Sequence, residues 1–402
     1  MSDSVKPRLL VLTSTFPRRH GDAEPGFVFE LCRRLTDHFS VRVLVPHAAQ
    51  AASNESMDDV EVIRYRYAPK RLETLAYGGG IVPKLRKQPW KWLLVPFLLL
   101  AQYRATRREL RRWQPDIVHA HWIIPQGLLA ALAIGGRRQP ALVTTSHGTD
   151  MFAFNSASMR RIKRYVLNKS VIVTVVSEAM REAAIAIGVD AGKVHVAPMG
   201  VDLQSRFTLD QRIERSASEI LFVGRLAPSK GLNVLLDAMP AILASRPDAS
   251  LTIAGFGPEA FALRAQAARL GVAEKVVFIG AIPQSALPDL YRRAAVFVAP
   301  YVRTAAGEQE GFGLTIVEAI GCGCPVVATD MPGLRDILGT QAGRMVESGD
   351  VHAMVAAVLQ AFEDTVGNRQ RNEQLRYQIL AKFDWTVVAE RYAELVGHTI
   401  RT

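Results

Sequence analysis

Short continuous apolar runs alternate with segments of helical periodicity along almost the whole chain, and the alternation is played through twice. Residues 8–13, Arg-Leu-Leu-Val-Leu-Thr, have no polar interleaving, the pattern of a strand covered on both faces. A polar loop runs on to Gly26, and helical spacing follows from Phe27 to Leu35. Further strands are expected at 41–45, 116–119, 141–145 and 171–176, with helical segments between them. The second half repeats the scheme from Ile220, Leu251, Val276, Val296 and Val326. Such alternation calls for parallel sheets joined by helical crossovers, here two Rossmann-like α/β domains in tandem. At 402 residues each domain can bury a full core. The change from one to the other is expected near residues 198–202. Apolar positions at helical spacing over 385–396 predict a last helix.

The polar residues that stand out sit where such sheets bind ligands, beyond the carboxyl ends of strands. The run 220–223 leads into Gly224-Arg225-Leu-Ala-Pro-Ser-Lys230-Gly231, followed by a helix over 232–243. An arginine fork and a lysine point charge on one loop suit a diphosphate, although two solvated loop cations would look the same. Further on stands Glu310-Gly-Phe-Gly-Leu-Thr-Ile-Val-Glu318, where residues 314–320 read as a helix and 325–329 as a buried strand. A helix beginning near Gly313 offers unpaired N–H groups to an anion, and an acid at that mouth suits sugar hydroxyls. Alternatively, Glu310 caps the helix and Glu318 is solvated. A glycosidase pair is disfavoured, since eight residues of helix separate two groups by about 12 Å and roughly 80°, whereas retaining carboxylates stand about 5 Å apart.

Taken with Ile253-Ala-Gly255-Phe-Gly257-Pro-Glu259, these stretches resemble the retaining glycosyltransferases of family 4, which have the GT-B fold. The matching patterns, G-R-x4-K-G, I-A-G-x-G-P-E and E-G-F-G-L-x3-E, cover most of residues 218–345. The resemblance implies domains at 1–200, with a returning helix at about 386–402, and at 201–385, facing across a cleft. It implies transfer of a sugar from a nucleotide-diphosphate sugar. Arg225 and Lys230, with the N–H groups of Gly313 and Leu314, would neutralise the leaving diphosphate. Gly224, Gly255, Gly257, Gly311 and Phe312 would complete the donor site, Glu310 would hold sugar hydroxyls and Glu318 the ribose. His147, in Ser146-His147-Gly-Thr-Asp150, looks like the family histidine that contacts the transferred sugar, with Asp150 beside it as an orienting or structural partner. Gly26, Arg18 and Arg19 lie on the loop that relatives use for the acceptor, where the arginines could meet a phosphate. No D-x-D motif stands in a suitable loop, so no metal or other cofactor is expected. His119 and His121 lack a third ligand and read as packing residues.

Charge narrows the partners. Net charge is +11, and residues 1–200 hold 29 Lys and Arg against 16 Asp and Glu while the remainder holds 20 against 22. A polyanion is therefore expected on the first domain, either nucleic acid or an anionic membrane. Residues 84–113 carry nine Lys or Arg and one acid, Glu109, around an apolar centre at 92–101 that Pro96 is expected to break. That centre is half the length of a span. With Trp90, Trp92 and Trp113 it suits a segment lying on an anionic membrane surface, the alternative being a helix with an apolar core face and solvated arginines. No nucleic-acid motif accompanies the charge. Three cysteines (Cys32, Cys322, Cys324) cannot frame disulfides, and the amino end, with Asp3 where a basic apolar run would stand, does not read as a signal peptide. Together with the family resemblance, which implies a glycan or lipid-linked acceptor, these features lead us to expect a cytoplasmic enzyme, peripheral on the inner face of a membrane, in bacterial polysaccharide or cell-envelope synthesis. A non-catalytic homologue serving as an assembly partner, a nucleotide-sugar epimerase and a phosphorylase are the rival readings.

Overall fold

A computed structural model describes residues 6–22, 24, 26–77, 81–135, 139–153, 156–305, 307–339, 344–363 and 365–401. Ala23 and Pro25 of the loop before the first helix, and the side chain of Arg86, lie outside them. The chain divides into two units, Met1–Met199 with Val388–Thr402, and Gly200–Val387.

The first unit is built on strands β1 (Arg8–Leu12), β2 (Ser40–Pro46), β3 (Asn54–Met57), β4 (Val60–Tyr65), β5 (Ile117–His121), β6 (Ala141–Ser146), β7 (Ile172–Val175) and β8 (Val194–Val196). They lie in the order β3-β4-β2-β1-β5-β6-β7-β8. Every pairing is parallel except β3 with β4. That antiparallel edge was not expected: Asn-Glu-Ser-Met is too polar to read as a strand and survives because an edge strand faces water. The order reverses at β1, which has β2 on one side and β5 on the other. Loops leaving β1 and β5 therefore diverge, and the crevice between them is where such sheets take ligands. The helix Trp385–Arg401 closes this unit: Tyr392 is fully buried, donates to the carbonyl of Ala197 (2.6 Å) and stacks on His119.

The second unit carries β9 (Glu219–Val223), β10 (Ser250–Ala254), β11 (Val276–Gly280), β12 (Val296–Ala299), β13 (Val326–Thr329) and β14 (Arg344–Val346). Their order is β11-β10-β9-β12-β13-β14, all parallel, with the reversal between β9 and β12. Ile220, Phe222, Leu251, Ile253, Val296 and Val298 point into one core layer, packed by the helices Leu232–Ser245 and Val351–Glu363. Burial on both faces explains why β9, β10, β12 and β13 read as unbroken apolar runs.

Candidate functional site

In the second unit, three loops meet at the switch between β9 and β12. The first is the Gly224–Gly231 turn after β9. It is tied to the loop after β12 by the Val302 N–H bond to the Ser229 carbonyl, and to the loop after β10 by the Leu226 N–H bond to Phe256. Gly255 is required by that second contact: at φ +152° a Cβ there would stand 1.8 Å from the Gly224 carbonyl oxygen. Gly257 lies on the same loop against Leu226. The glycines thus let two backbones touch, which holds the cationic loop in place.

Lys230 and Glu310 form an ion pair across the switch, Nζ to Oε2 2.5 Å, and Lys230 also lies 4.4 Å over the ring of Tyr301. Their side chains are only 20% and 18% exposed. Burial would raise the Glu310 pKa, but the Lys230 charge and its hydrogen bond, with the N–H groups of Phe312 and Gly311, hold it below the usual carboxylate range. For Lys230, burial favours the neutral amine, and Glu310 outweighs it and holds the pKa above the ordinary lysine value. Arg225 is exposed on the same loop. Arg225 and Lys230 therefore share one loop, with the lysine paired to Glu310 and still charged.

Glu310 is not on the helix. That element runs Leu314–Gly321, and Gly313, at φ 93°, turns the chain into it. Gly311 and Phe312 are buried in the turn, where Phe312 packs edge-to-face on Phe383. Glu318 projects inward and is 6% exposed, which removes the solvated alternative. Tyr291 donates its hydroxyl to Glu318 Oε2 at 2.8 Å. Burial nevertheless pushes the Glu318 carboxyl up to about 7. Tyr291 and Tyr301 escaped the sequence reading; Tyr301 had one signal, its place two residues beyond a buried strand.

In the first unit, His147 follows β6. Phe27 and Trp122 flank its ring at 5.1 and 4.8 Å, and His121 Nδ1 meets its Nε2 at 2.9 Å. His119 and His121 are fully buried, as their packing role predicted. Burial drives His119 and, with His119 nearby, His147 down to about 3, and His121 well below the usual range. All three are neutral near pH 7. Asp150 accepts from Ile123 N–H (2.7 Å), the Ser146 hydroxyl (2.9 Å) and His147 N–H (3.2 Å), which places it as the buried brace of this loop. Arg18 closes a bidentate clamp on Asp22, which burial would raise but Arg18 holds down at about 2. Arg19 is exposed, and Gly26 caps the helix Phe27–Leu35.

The basic segment folds as the short helices Ile81–Lys87 and Pro89–Leu94 and the long helix Val95–Arg112. Pro96 does not break it. Proline sits in the first turn, where the missing N–H has no helical partner to lose. Trp92, Leu93 and Phe97 are 61%, 73% and 59% exposed, and Leu100 follows them on the outer face. Arg104, Arg108 and Arg111 continue that face at helical spacing. Glu109 is buried, paired with Arg42 (2.7 Å) and with Arg108 (3.3 Å). Among the described residues no helix is long and apolar enough to cross a membrane, and no group of three His, Cys, Asp or Glu could hold a metal ion.

Two family models match, "Glycosyltransferase Family 4" over residues 27–205 and "Glycosyl transferases group 1" over 209–379. The chain is 33% identical over 287 residues to the GDP-mannose-dependent alpha-(1-6)-phosphatidylinositol monomannoside mannosyltransferase of Mycolicibacterium smegmatis, covering 68% of this chain and 74% of that one. It is 27% identical to glycogen synthase of Mycobacterium tuberculosis, covering 87% and 84%. Among solved structures it is similar to sucrose-phosphate synthase of Thermosynechococcus elongatus (TM-score 0.77, 19% identity, 98% and 100% covered). It is also similar to HepE of Anabaena in complex with UDP-glucose (0.72, 19%, 97% and 99%). At such identity the structures speak for the fold alone, and that fold is GT-B.

Proposed function

This chain belongs to glycosyltransferase family 4, and we propose that it is a retaining, metal-independent transferase that moves a sugar from a nucleoside-diphosphate sugar to a membrane-held acceptor. The observation that carries the reading is the convergence of Arg225, the Lys230–Glu310 pair and the start of the helix Leu314–Gly321 at one switch point. Departure of the diphosphate develops negative charge where those cations and the N–H groups of Gly313 and Leu314 would offset it, which is the electrostatic task a metal performs elsewhere. Glu310, kept ionised by Lys230, is a ready acceptor for sugar hydroxyls, and Glu318 for ribose hydroxyls. His147, on the first unit, would serve the transferred sugar as a neutral group. GDP-mannose and UDP-glucose, the donors named with two of the relatives, share the nucleoside diphosphate that this loop set suits.

The acceptor is proposed to be a lipid-linked sugar or glycan of a bacterial polysaccharide or cell-envelope pathway. It would be met at the inner face of the cytoplasmic membrane, with residues 84–113 resting on anionic headgroups. The favouring observation is an outer helix face that is apolar at Phe97 and Leu100 and cationic from Arg104 onward, with the one acid of the segment buried between Arg42 and Arg108. Thermal unfolding with UDP, GDP, ADP and their sugars tests the donor half. A ligand at a hundred times its Kd adds about 2.7 kcal/mol. A shift with one nucleotide series is expected; no shift with any of them would turn the assignment towards a non-catalytic homologue.

A further inference from the structure

His121 has no part in the reaction outlined above, yet it is the residue that His147 touches most directly. Parallel pairing of β5 with β6 sets His121 opposite Thr145, two residues short of His147 and on the same face. The two ring centroids are 5.2 Å apart and the planes differ by 11°. With Nδ1 and Nε2 at 2.9 Å, that separation is close to the hydrogen bond plus two ring radii, so the rings meet edge to edge with the lone pair in line.

One proton serves this bond, and it can belong to either ring. If His147 donates from Nε2, His121 accepts at Nδ1 and must carry its own proton on Nε2. That atom is buried and no described residue lies within hydrogen-bond reach of it. An orphaned N–H in a fully buried ring is the costlier of the two arrangements. If His121 donates from Nδ1 instead, its Nε2 holds only a lone pair. His119 does not take over: its Nε2 is bonded to Thr145 Oγ1 (2.7 Å), and its buried Nδ1, although its ring packs against His121, makes no hydrogen bond to any described residue.

We propose that His121 is a positioning residue that fixes the tautomer of His147: Nδ1–H of His121 donates to Nε2 of His147, leaving the His147 proton on Nδ1. His147 then meets its ligand as a hydrogen-bond donor, and the group it selects is an oxygen with a free lone pair. Phe27 and Trp122, packed against the ring, hold this orientation. The inference rests on the reading of His147 as a sugar-side group, and the test keeps the two apart.

The test is long-range ¹H–¹⁵N correlation of histidine rings in the full chain, with the His147 signals assigned by their loss in His147→Gln. A protonated Nδ1 and bare Nε2 are expected for His147 in the native protein. A protonated Nε2 overturns the proposal; this readout needs His147→Gln to fold only for the assignment, and it needs no turnover. The kinetic arm compares His121→Asn, whose amide N–H can stand where Nδ1–H stood, with His121→Leu. Loss of kcat by about 10- to 100-fold is expected for Leu, the scale seen when an orienting partner is removed, with KM for the donor little changed and Asn recovering most of the rate. Equal loss in both variants argues for mere packing and overturns it. If Nδ1 is protonated but His147→Ala transfers sugar at the native rate, the tautomer stands and the sugar-side role of His147 falls.

Discussion

Replacing Lys230 by Met keeps the stem of the side chain and removes the charge facing Glu310. In the native protein Glu310 has its pKa lowered, so its contribution to stability is present above the unfolded value, about 4.3, and is lost as pH falls through the folded value. Without the ammonium, burial acts against the carboxylate with only two backbone N–H groups opposing it, and the pKa is expected to rise past its ordinary value. The sign then reverses: the variant is most stable below about 4.3 and loses stability as pH rises. Breaking a fully buried pair costs about 3–5 kcal/mol. Because each partner keeps about a fifth of its exposure, we expect about 2–3 kcal/mol at neutral pH. Urea unfolding of both proteins from pH 5 to pH 8, followed by circular dichroism, measures the gap. Hydrogen exchange in the helix Leu314–Gly321 locates it. A gap that widens with pH is expected. One that stays constant across the range would refute the argument that Lys230 is there to compensate Glu310.

Glu318 carries the opposite dependence. With its pKa raised to about 7, its contribution is full below about 4.3 and is lost as pH rises through 7, by about 4 kcal/mol; Glu318→Gln should flatten that decline in the unliganded protein, as thermal midpoints across pH would show. Gly255→Ala forces a methyl into the Gly224 carbonyl and should cost about 3 kcal/mol or more, weakening nucleoside-diphosphate binding with it, as calorimetric titration would record. Flotation with anionic vesicles should recover the native protein and not the triple variant Trp92→Ser, Leu93→Ser, Phe97→Ser, while neutral vesicles recover neither; equal recovery with both vesicle types would remove the membrane reading.

The inner strands of both sheets were legible because burial on two faces leaves an unbroken apolar signature, as at 8–12 and 220–223, whereas β3, β4, β8 and β14, towards the sheet edges, were not read. The loops of the candidate site were legible for a related reason: glycine and charge stand just past those strands, where no core residue would. Pairings across the fold were not. Lys230 and Glu310 are 80 residues apart, and nothing local says that one neutralises the other. His121 reached His147 only through the register of β5 on β6, which no spacing along the chain encodes. Arg18 illustrates a third kind of miss. Its partner Asp22 is four residues on, but outside a helix that spacing predicts no contact, so the arginine read as open to an acceptor.

Because the last helix belongs to the first unit, biosynthesis meets the two units in a particular order. The unit begun at Arg8 cannot be completed until residues 388–401 have left the ribosome, although its sheet ends at Val196, whereas everything the second unit needs has emerged by Val387. The unit started first is thus finished last, and until then the seat of Tyr392 beneath Ala197 and His119 stands open. A nascent chain stalled short of that helix would carry a finished second unit beside an unfinished first one, and its apolar seat would be the natural place for a chaperone to hold.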